Sequence, residues 1–282
     1  MKRTIRPPLL AVKPVSATLE VMRPDFLFLG TGPAEAIPRH GHRDPICLDA
    51  MRSGSKSRRL RSSGIYRSGR VAILLDAGPD VIHQLSGERI ERLDAVLLTH
   101  AHLDAAGGLT ALNHWAHKRG QVITVYTERA TARRYGNFSN LPYRFVKSGS
   151  VENISGVSVR FFRVRHSVAP GFPTLGFRIG KFAYASDVAS VPSASLKMLH
   201  GVKDLALDAA FWFETNFRGH MRVDEAIRIG RWLGVPRLYL TQTGHTYPPH
   251  DEAESAIKAY GLAFAPELEV TLAHDGLYLR LE

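Results

Sequence analysis

Two histidines and an aspartate stand at every second position in the segment His100-Ala-His102-Leu-Asp104. They follow the apolar residues 95–98, which are typical of a buried strand, and in an extended chain side chains two apart point the same way. Imidazole is the commonest ligand of zinc and similar divalent ions, and a carboxylate often completes the site. The spacing therefore predicts a metal site, whereas the alternative is a surface pair on an edge strand.

The same arrangement, an apolar run followed by a residue able to bind a metal, recurs three times. Asp76 follows residues 71–75, His166 follows a run that ends at Val164, and Asp187 follows residues 182–185. The histidine motif is followed directly by two glycines and an amphipathic stretch. This order predicts that the motif lies on a loop between a strand and a helix, where functional groups concentrate.

Short apolar runs rich in β-branched residues recur from residue 25 onward, and their length favours strands. The pattern from Val223 to Leu233 instead predicts a helix that stops at Gly234. Consecutive strands in the first half and alternating strands and helices in the second predict an α/β protein with two sheets flanked by helices. The predicted strands are residues 26–29, 71–75, 95–98, 122–126, 157–164, 175–179, 182–185, 205–207, 238–240, 268–272 and 277–281.

The composition, 282 residues of which 44% are hydrophobic, suits a globular enzyme. Residues 1–24 are rich in proline and carry five Lys or Arg against one Glu, which predicts an extended basic amino-terminal arm before one domain over residues 25–282. Apolar runs fall short of the roughly 20 residues that a membrane-spanning helix needs. We expect a soluble, cytoplasmic protein without a membrane partner.

The chain has a formal net charge of +11, and residues 52–70 hold seven Lys or Arg and no acidic residue. This charge predicts attraction to phosphate-bearing partners, and the alternative is a solvated basic loop. The single cysteine, Cys47, excludes an internal disulfide and suits a reducing compartment, where thiols are inert or bind metals.

The order of these residues resembles the metallo-β-lactamase-fold hydrolases, and within them the phosphoribosyl 1,2-cyclic phosphate phosphodiesterases. The resemblance extends over nearly everything after Asp25 and implies a four-layer αββα sandwich over residues 25–282. Supporting stretches are Phe28-Leu-Gly30-Thr-Gly32, Arg59-Leu-Arg61-Ser62-Ser63, Asp76-Ala-Gly-Pro-Asp80, Gly219-His220-Met221 and His274-Asp275-Gly276.

The resemblance implies roles for individual residues. Asp187 lies beside one metal or bridges it to a second and takes part in catalysis. Asp76 orients ligand histidines through hydrogen bonds. His220 protonates the leaving oxygen, and its alternative is a histidine that only caps the following helix. The implied metal ligands are His100, His102, Asp104, His166 and Asp187.

Two positions depart from the family pattern. Ala105 stands where a histidine usually follows the aspartate of the motif, and Gln242 stands where the last strand usually ends in histidine. The second metal position then keeps Asp104 and Asp187, with Gln242 as a weak neutral oxygen ligand. Either one metal suffices, or the second binds loosely and prefers oxygen, as Mn²⁺ does, or the activity is lost.

The family also has a structural zinc site formed by three cysteines of one loop and a histidine. Here the corresponding loop is Gly41-His42-Arg-Asp44-Pro-Ile-Cys47, and His245 stands three residues beyond Gln242. The resemblance thus implies a structural zinc with the mixed ligands His42, Asp44, Cys47 and His245. The alternative is that the site has decayed and these are ordinary loop residues.

Together these features predict a metal-dependent hydrolase that uses one or two divalent metals, Zn or Mn. We expect a phosphodiesterase that attacks a small, cyclic or linear phosphodiester through a metal-bound hydroxide. Residues 110–115 differ from the Asp-Asp-Leu-Arg stretch that is common in the family, so the substrate is left open.

Three alternatives compete with this hypothesis. An RNA-processing nuclease of the same fold would suit the basic charge and make nucleic acid a partner. A protein like the B protein of pyrroloquinoline quinone biosynthesis shares the fold and the zinc loop. Ala105 and Gln242 also suit a degenerate, non-catalytic binding protein. The sequence leaves a monomer and a homodimer equally open.

Overall fold

The computed structural model describes residues 23–166, 172–213 and 219–282, and these form two seven-stranded sheets with flanking helices. The strands are β1 (Asp25–Gly30), β2 (Ser63–Ser68), β3 (Val71–Leu75), β4 (Ala95–Leu97), β5 (Thr124–Thr127), β6 (Tyr143–Phe145), β7 (Val151–Ile154), β8 (Val157–Val164), β9 (Thr174–Ile179), β10 (Phe182–Ala185), β11 (Asp204–Asp208), β12 (Arg237–Thr241), β13 (Glu269–Leu272) and β14 (Tyr278–Arg280). The helices are α1 (Pro45–Ala50), α2 (Val81–Gly87), α3 (Leu103–Ala106), α4 (Leu109–Lys118), α5 (Arg129–Tyr135), α6 (Ser193–Met198), α7 (Val223–Leu233) and α8 (His250–Phe264).

Each sheet is antiparallel on one side and parallel on the other. The first has the order β14-β1-β2-β3-β4-β5-β6 and is parallel from β3 to β6. The second has the order β13-β12-β11-β10-β9-β8-β7 and is parallel from β10 to β13. Parallel strands end at the same edge of a sheet. The loops after β3 and β4 therefore lie together in the first sheet, and the loops after β10, β11 and β12 lie together in the second.

The order of the layers follows from alternating burial along the strands. In β3, Ile73 and Leu75 join the apolar cluster between the sheets, whereas Leu74 packs among residues of α2 and α4. In β8, Phe161 lies between the sheets, and Phe162 belongs to the cluster under α7 and α8. Side chains of successive residues leave opposite faces of a strand, so both sheets are covered on both faces. The predicted four-layer αββα sandwich is confirmed.

All eleven predicted strands are present, although β5 begins two residues later than predicted. The predicted helix α7 ends at Leu233, and Gly234 follows in the left-handed conformation with φ 64°. Sequence reasoning missed β2, β6 and β7. The predicted amino-terminal arm lies outside the described residues except for its last two. Within the described part of the chain, no helix is long and apolar enough to cross a membrane.

Candidate active site

Three predicted ligand histidines meet at the ends of strands from both sheets. His100 lies just beyond β4, His102 immediately precedes α3, and His166 lies two residues beyond β8. His102 Nδ1 lies 2.9 Å from His100 Nε2 and 3.0 Å from His166 Nε2. The structure thus brings three imidazole nitrogens from separate elements to one point.

Hydrogen bonds on the far side of two of these rings decide where their protons lie. The Nδ1 of His166 is 2.7 Å from the carbonyl oxygen of Gly219, which can only accept, so Nδ1 carries the proton. The Nδ1 of His100 is 2.8 Å from the Thr99 hydroxyl, which lies 2.9 and 3.0 Å from the two carboxyl oxygens of Asp76. Burial raises the pKa of Asp76 well above its ordinary value. In its ionised form Asp76 accepts from the hydroxyl, and the hydroxyl oxygen then accepts from His100.

The Nε2 atoms of His100 and His166 then both direct a lone pair at Nδ1 of His102. A proton on that Nδ1 can form a hydrogen bond with only one of the two. Burial lowers the pKa of His100 to about 3, and burial together with His166 lowers the pKa of His102. The rings of His100 and His102 therefore favour the neutral form, which is the form that binds metals. Three imidazole nitrogens at one point, with the outward nitrogens of His100 and His166 held by hydrogen bonds, fit a divalent cation.

Asp187, which follows β10, lies beside this cluster. Its Oδ1 is 3.9 Å from the Nε2 atoms of both His100 and His166. Burial raises the pKa of this carboxyl, but interactions with the surrounding histidines outweigh that effect and lower it. Its Oδ2 accepts a hydrogen bond of 2.6 Å from the Ser186 hydroxyl. Asp187 is thus a buried carboxylate beside the three histidines.

Asp104 lies on a helix and not on the extended segment that the sequence predicts. The chain turns into α3 at Leu103, so Asp104 lies in the first turn of a helix, and the extended alternation that was expected stops at His102. Its carboxylate is outside the close groups of ligand atoms found among the described residues. Burial and the negative charge of Asp187 raise the pKa of Asp104 to about 6.

His220 forms an ion pair that the sequence analysis did not predict. Its Nδ1 lies 2.6 Å from Oδ2 of Asp208, the last residue of β11. Asp208 is fully buried and also accepts backbone N–H bonds of 2.7 Å from Val188 and 2.8 Å from Ala210. Burial lowers the pKa of His220, but Asp208 raises it to about 9. The imidazole is therefore charged at neutral pH, and Nε2 holds a proton that it can donate.

The position of His220 argues against the capping alternative. The residue that caps α7 is Arg222, and the Nδ1 of His220 is occupied by Asp208. His220, His166 and Asp187 each place one ligand-type atom within 4.8 Å of the others. The proton on His220 is thus held next to the histidine cluster.

Sequence reasoning missed further residues of the site. Asp208 has a signal like that of Asp187, a carboxylate at the end of an apolar run. Phe172 covers His102 with a ring distance of 4.4 Å, and the Arg134 guanidinium lies 5.5 Å from the Phe172 ring centre. These two residues follow no motif, and only the fold brings them to the histidines.

The two departures from the family pattern have different surroundings. Gln242 follows β12 with φ 63°, and its Nε2 donates a 3.0 Å hydrogen bond to Oδ1 of Asp187. Its Oε1 is buried and has no hydrogen-bond partner among the described residues. Ala105 is buried, and its carbonyl accepts from the backbone N–H of Ala77. A second cation would therefore find a neutral oxygen at Gln242 and no side-chain ligand at Ala105.

The four residues of the predicted structural zinc site also lie together. Asp44 Oδ2 is 3.3 Å from His42 Nδ1 and 3.5 Å from His245 Nδ1. Cys47 Sγ is 3.4 Å from the same nitrogen of His245 and accepts a 3.3 Å bond from the backbone N–H of Arg39. Burial raises the pKa of the Cys47 thiol, so only a nearby cation would favour the thiolate. The donor set fits zinc.

Comparison with known proteins agrees with the geometry. Residues 72–241 match the family described as the beta-lactamase superfamily domain. The chain is 26% identical over 239 residues to a Porphyromonas gingivalis (strain ATCC BAA-308 / W83) protein named octanoyltransferase. That alignment covers 80% of this chain and 47% of the relative, so the chain spans about half of its length.

Solved structures show the same architecture. The chain is similar to a new diphosphatase from the PhnP family, with 26% identity, a TM-score of 0.79, and coverage of 92% and 98% of the two chains. It resembles Zn²⁺-bound PqqB from Methylobacterium extorquens at 22% identity, a TM-score of 0.73, and coverage of 91% and 100%. Human tRNase Z, short form, gives 19% identity, a TM-score of 0.61, and coverage of 92% and 99%. The last two likenesses establish the metallo-β-lactamase fold alone.

Proposed function

Since the chain belongs to the β-lactamase superfamily, we propose that it is a metal-dependent hydrolase and that its substrate is a small phosphodiester. The observation that carries the proposal is the convergence of three imidazole nitrogens, with the outward nitrogen of His166 bonded to Gly219 and that of His100 bonded to Thr99. This arrangement suits a cation and leaves the charged pair of Asp208 and His220 beside it.

His100, His102 and His166 would hold the metal, with Asp187 next to them. A divalent cation bound there would supply a positive charge that lowers the pKa of a nearby water and stabilises negative charge on phosphoryl oxygens. The three nitrogen ligands favour zinc, whereas Asp104, Asp187 and the Gln242 oxygen favour Mn²⁺ at any second position.

The protein's own residues do the remaining work. His220 holds a proton at Nε2 because Nδ1 donates to Asp208, and Nε2 passes it to the oxygen that leaves phosphorus. Thr99 and Asp76 keep His100 in one orientation, and Phe172 shields His102 from water. Arg134, held over Phe172, is a cation available for a phosphoryl oxygen.

Phosphodiester hydrolysis is favoured over other reactions by two observations. The net charge of +11 attracts phosphate, and the likeness to the diphosphatase extends over 92% of the chain. We do not propose acyl transfer, because the alignment with the octanoyltransferase covers 47% of that protein. Metal analysis of protein purified without chelators, together with hydrolysis of bis(p-nitrophenyl) phosphate in Mn²⁺ or Zn²⁺, tests the proposal. A folded protein with neither metal nor turnover would contradict it.

Replacing Gln242 with His should strengthen a second metal position. The imidazole would supply the nitrogen ligand that the neutral amide lacks, next to Asp187. We expect the total metal content to rise by about one ion per chain at equal Mn²⁺ or Zn²⁺, measured by elemental analysis after dialysis. Gln121→His, in the loop before β5 and outside the groups of metal-ligand atoms found among the described residues, is the matched control and should leave the content unchanged. Equal metal content in both variants would contradict the proposed second position.

We also propose that His42, Asp44, Cys47 and His245 bind a structural zinc. Cys47→Ser should then remove one zinc per chain, while the metal at the histidine cluster stays. The melting temperature should fall by roughly 2–4 °C for each ~1 kcal/mol of binding free energy lost. His40→Ala, an exposed histidine of the same loop, is the control. Unchanged zinc content in Cys47→Ser would remove the proposal and leave the histidine cluster unaffected.

A further inference from the structure

A cavity of 340 Å³ lies on one side of His220. Its walls include Pro33 and Ala34 from the loop after β1, Ala210 from the loop after β11, and Gln242 and Gly244 from the loop after β12. We propose that this cavity receives the leaving group of the phosphodiester and that this group is an uncharged, mainly apolar alcohol or phenol. The inference rests on the proposed function and adds the class of substrate.

The cavity begins where the leaving oxygen has to be. The ring of His220 is one of its walls and lies 4.6 Å, centre to centre, from the ring of His166. Gln242 likewise lines the cavity and donates to Asp187. A phosphoryl group beside the histidine cluster would therefore have its departing oxygen near His220, with the carbon atoms attached to that oxygen inside the cavity.

The lining determines which chemical groups can enter. Pro33, Ala34, Ala210 and Gly244 offer apolar surface, and none of the described residues that line the cavity is Lys or Arg. The carboxylate there, Glu35, is half exposed and faces Arg39 at 3.9 Å. The charged His220 serves the leaving oxygen at the mouth of the cavity, and no described lining residue is a Lys or Arg that could pair with a second phosphate or a carboxylate further in. Such an anion would lose its hydration there, whereas an uncharged group gains burial. A polynucleotide, with a charge at every phosphate, fits poorly.

Volume and rigidity limit the size of the leaving group. A cavity of 340 Å³ is at the lower end of the roughly 300–1,000 Å³ found for small-molecule sites, which suits one ring system or a short alkyl chain. The wall between the two loops is fixed because Gly244 N–H donates to the Ala210 carbonyl at 3.0 Å. A Cβ on Gly244 would lie 2.5 Å from that oxygen, so only glycine allows the two loops to approach this closely.

Ala34→Leu tests the assignment without touching the residues proposed for catalysis. Ala34 is exposed, and its backbone carbonyl stays bonded to Arg61 Nε at 2.7 Å, so a larger side chain narrows the cavity without disturbing the fold. Ala194→Leu, an equally exposed position on α6, is the matched control. Two readouts are needed, one of binding and one of turnover.

For binding, calorimetry on metal-free protein compares 2-naphthol with 6-hydroxy-2-naphthoate. We expect the neutral phenol to bind at least about 10-fold more tightly than the carboxylate, equivalent to ~1.4 kcal/mol. Ala34→Leu should weaken naphthol binding by at least about 5-fold, and Ala194→Leu should not change it. Equal binding of the two phenols, or equal affinities of the two variants, would overturn the assignment.

For turnover, two methyl aryl phosphodiesters are compared. Their phenol leaving groups have matched pKa values, but one of the phenols carries a carboxylate and the other does not. The neutral ester should have a kcat/KM about 10-fold higher or more, and Ala34→Leu should raise KM for it while kcat stays unchanged. A preference for the charged ester would overturn the cavity assignment while leaving the hydrolase proposal intact. Selective naphthol binding without any turnover would support the apolar site and refute the phosphodiesterase.

Discussion

Replacing His102 with Ala is expected to remove the metal from the histidine cluster and to reduce phosphodiester turnover on the order of 10³-fold, or ~4 kcal/mol. The reason is geometric, because His102 Nδ1 is the atom that faces both other nitrogens, at 2.9 and 3.0 Å. Without it, His100 and His166 form a two-nitrogen site beside Asp187, which holds a divalent ion weakly. The nearest ligand-type residue after His102 is Asp104, whose carboxylate lies outside the close groups of ligand atoms found among the described residues, and residue 105 is alanine.

The measurement pairs elemental analysis with initial rates on bis(p-nitrophenyl) phosphate. His117→Ala, an exposed histidine on α4, is the control for general effects of losing an imidazole. Circular dichroism of the metal-free proteins establishes that each variant folds. If His102→Ala retained stoichiometric metal at the cluster and wild-type rates, the histidine cluster would not be the catalytic metal site.

The strands could be predicted from the sequence where their own residues are mostly apolar. β3 and β8 are covered on both faces, so their apolar runs are visible in the sequence. β2 was missed because Ser63-Gly-Ile-Tyr-Arg-Ser contains few apolar residues. What holds β2 in the sheet is distant in sequence: a Cβ on Gly64 would lie 2.1 Å from the Phe26 ring of β1, so only glycine allows this packing.

The site could be predicted where a strand ends in a ligand-type residue. That rule found Asp76, His100 and Asp187, and it would also have found Asp208, which directly follows the predicted run 205–207. It failed for the geometry of Asp104, because the periodicity of a strand does not reveal that a helix begins one residue earlier. Side chains such as Phe172 reach the site only through tertiary packing.

Gln242 shows how a substitution changes a site without emptying it. From the sequence, Gln242 is expected to be a weak neutral oxygen ligand in place of the usual histidine. In the structure its amide N–H donates to Asp187, and its buried Oε1 has no partner among the described residues. The glutamine therefore positions the Asp187 carboxylate by a hydrogen bond. A histidine at this position would instead bind a second metal together with that carboxylate. The departure weakens the second metal position more than the first.

The effect of replacing His220 should depend on the leaving group. His220→Gln is expected to lower kcat/KM by about 10²- to 10⁴-fold for methyl phenyl phosphate, whose leaving oxygen needs a proton. The loss should be less than about 10-fold for bis(p-nitrophenyl) phosphate, whose leaving group departs as a stable anion. Equal losses on both substrates would contradict proton donation by His220 and favour a structural role.

Asp208→Asn removes the negative charge next to His220 while keeping a side chain of similar shape. Asp208 raises the pKa of His220 to about 9, so the protonated form is present below that pH and is lost as pH rises through it. Without the carboxylate, the pKa of His220 falls, and the alkaline limb of kcat/KM for methyl phenyl phosphate should move to lower pH by at least about one unit. Asp204→Asn, a buried aspartate of the same strand that pairs with Arg237, should lower stability but leave that limb in place. An unmoved limb in Asp208→Asn would mean that another group supplies the proton, because a neutral amide cannot maintain the raised pKa of His220.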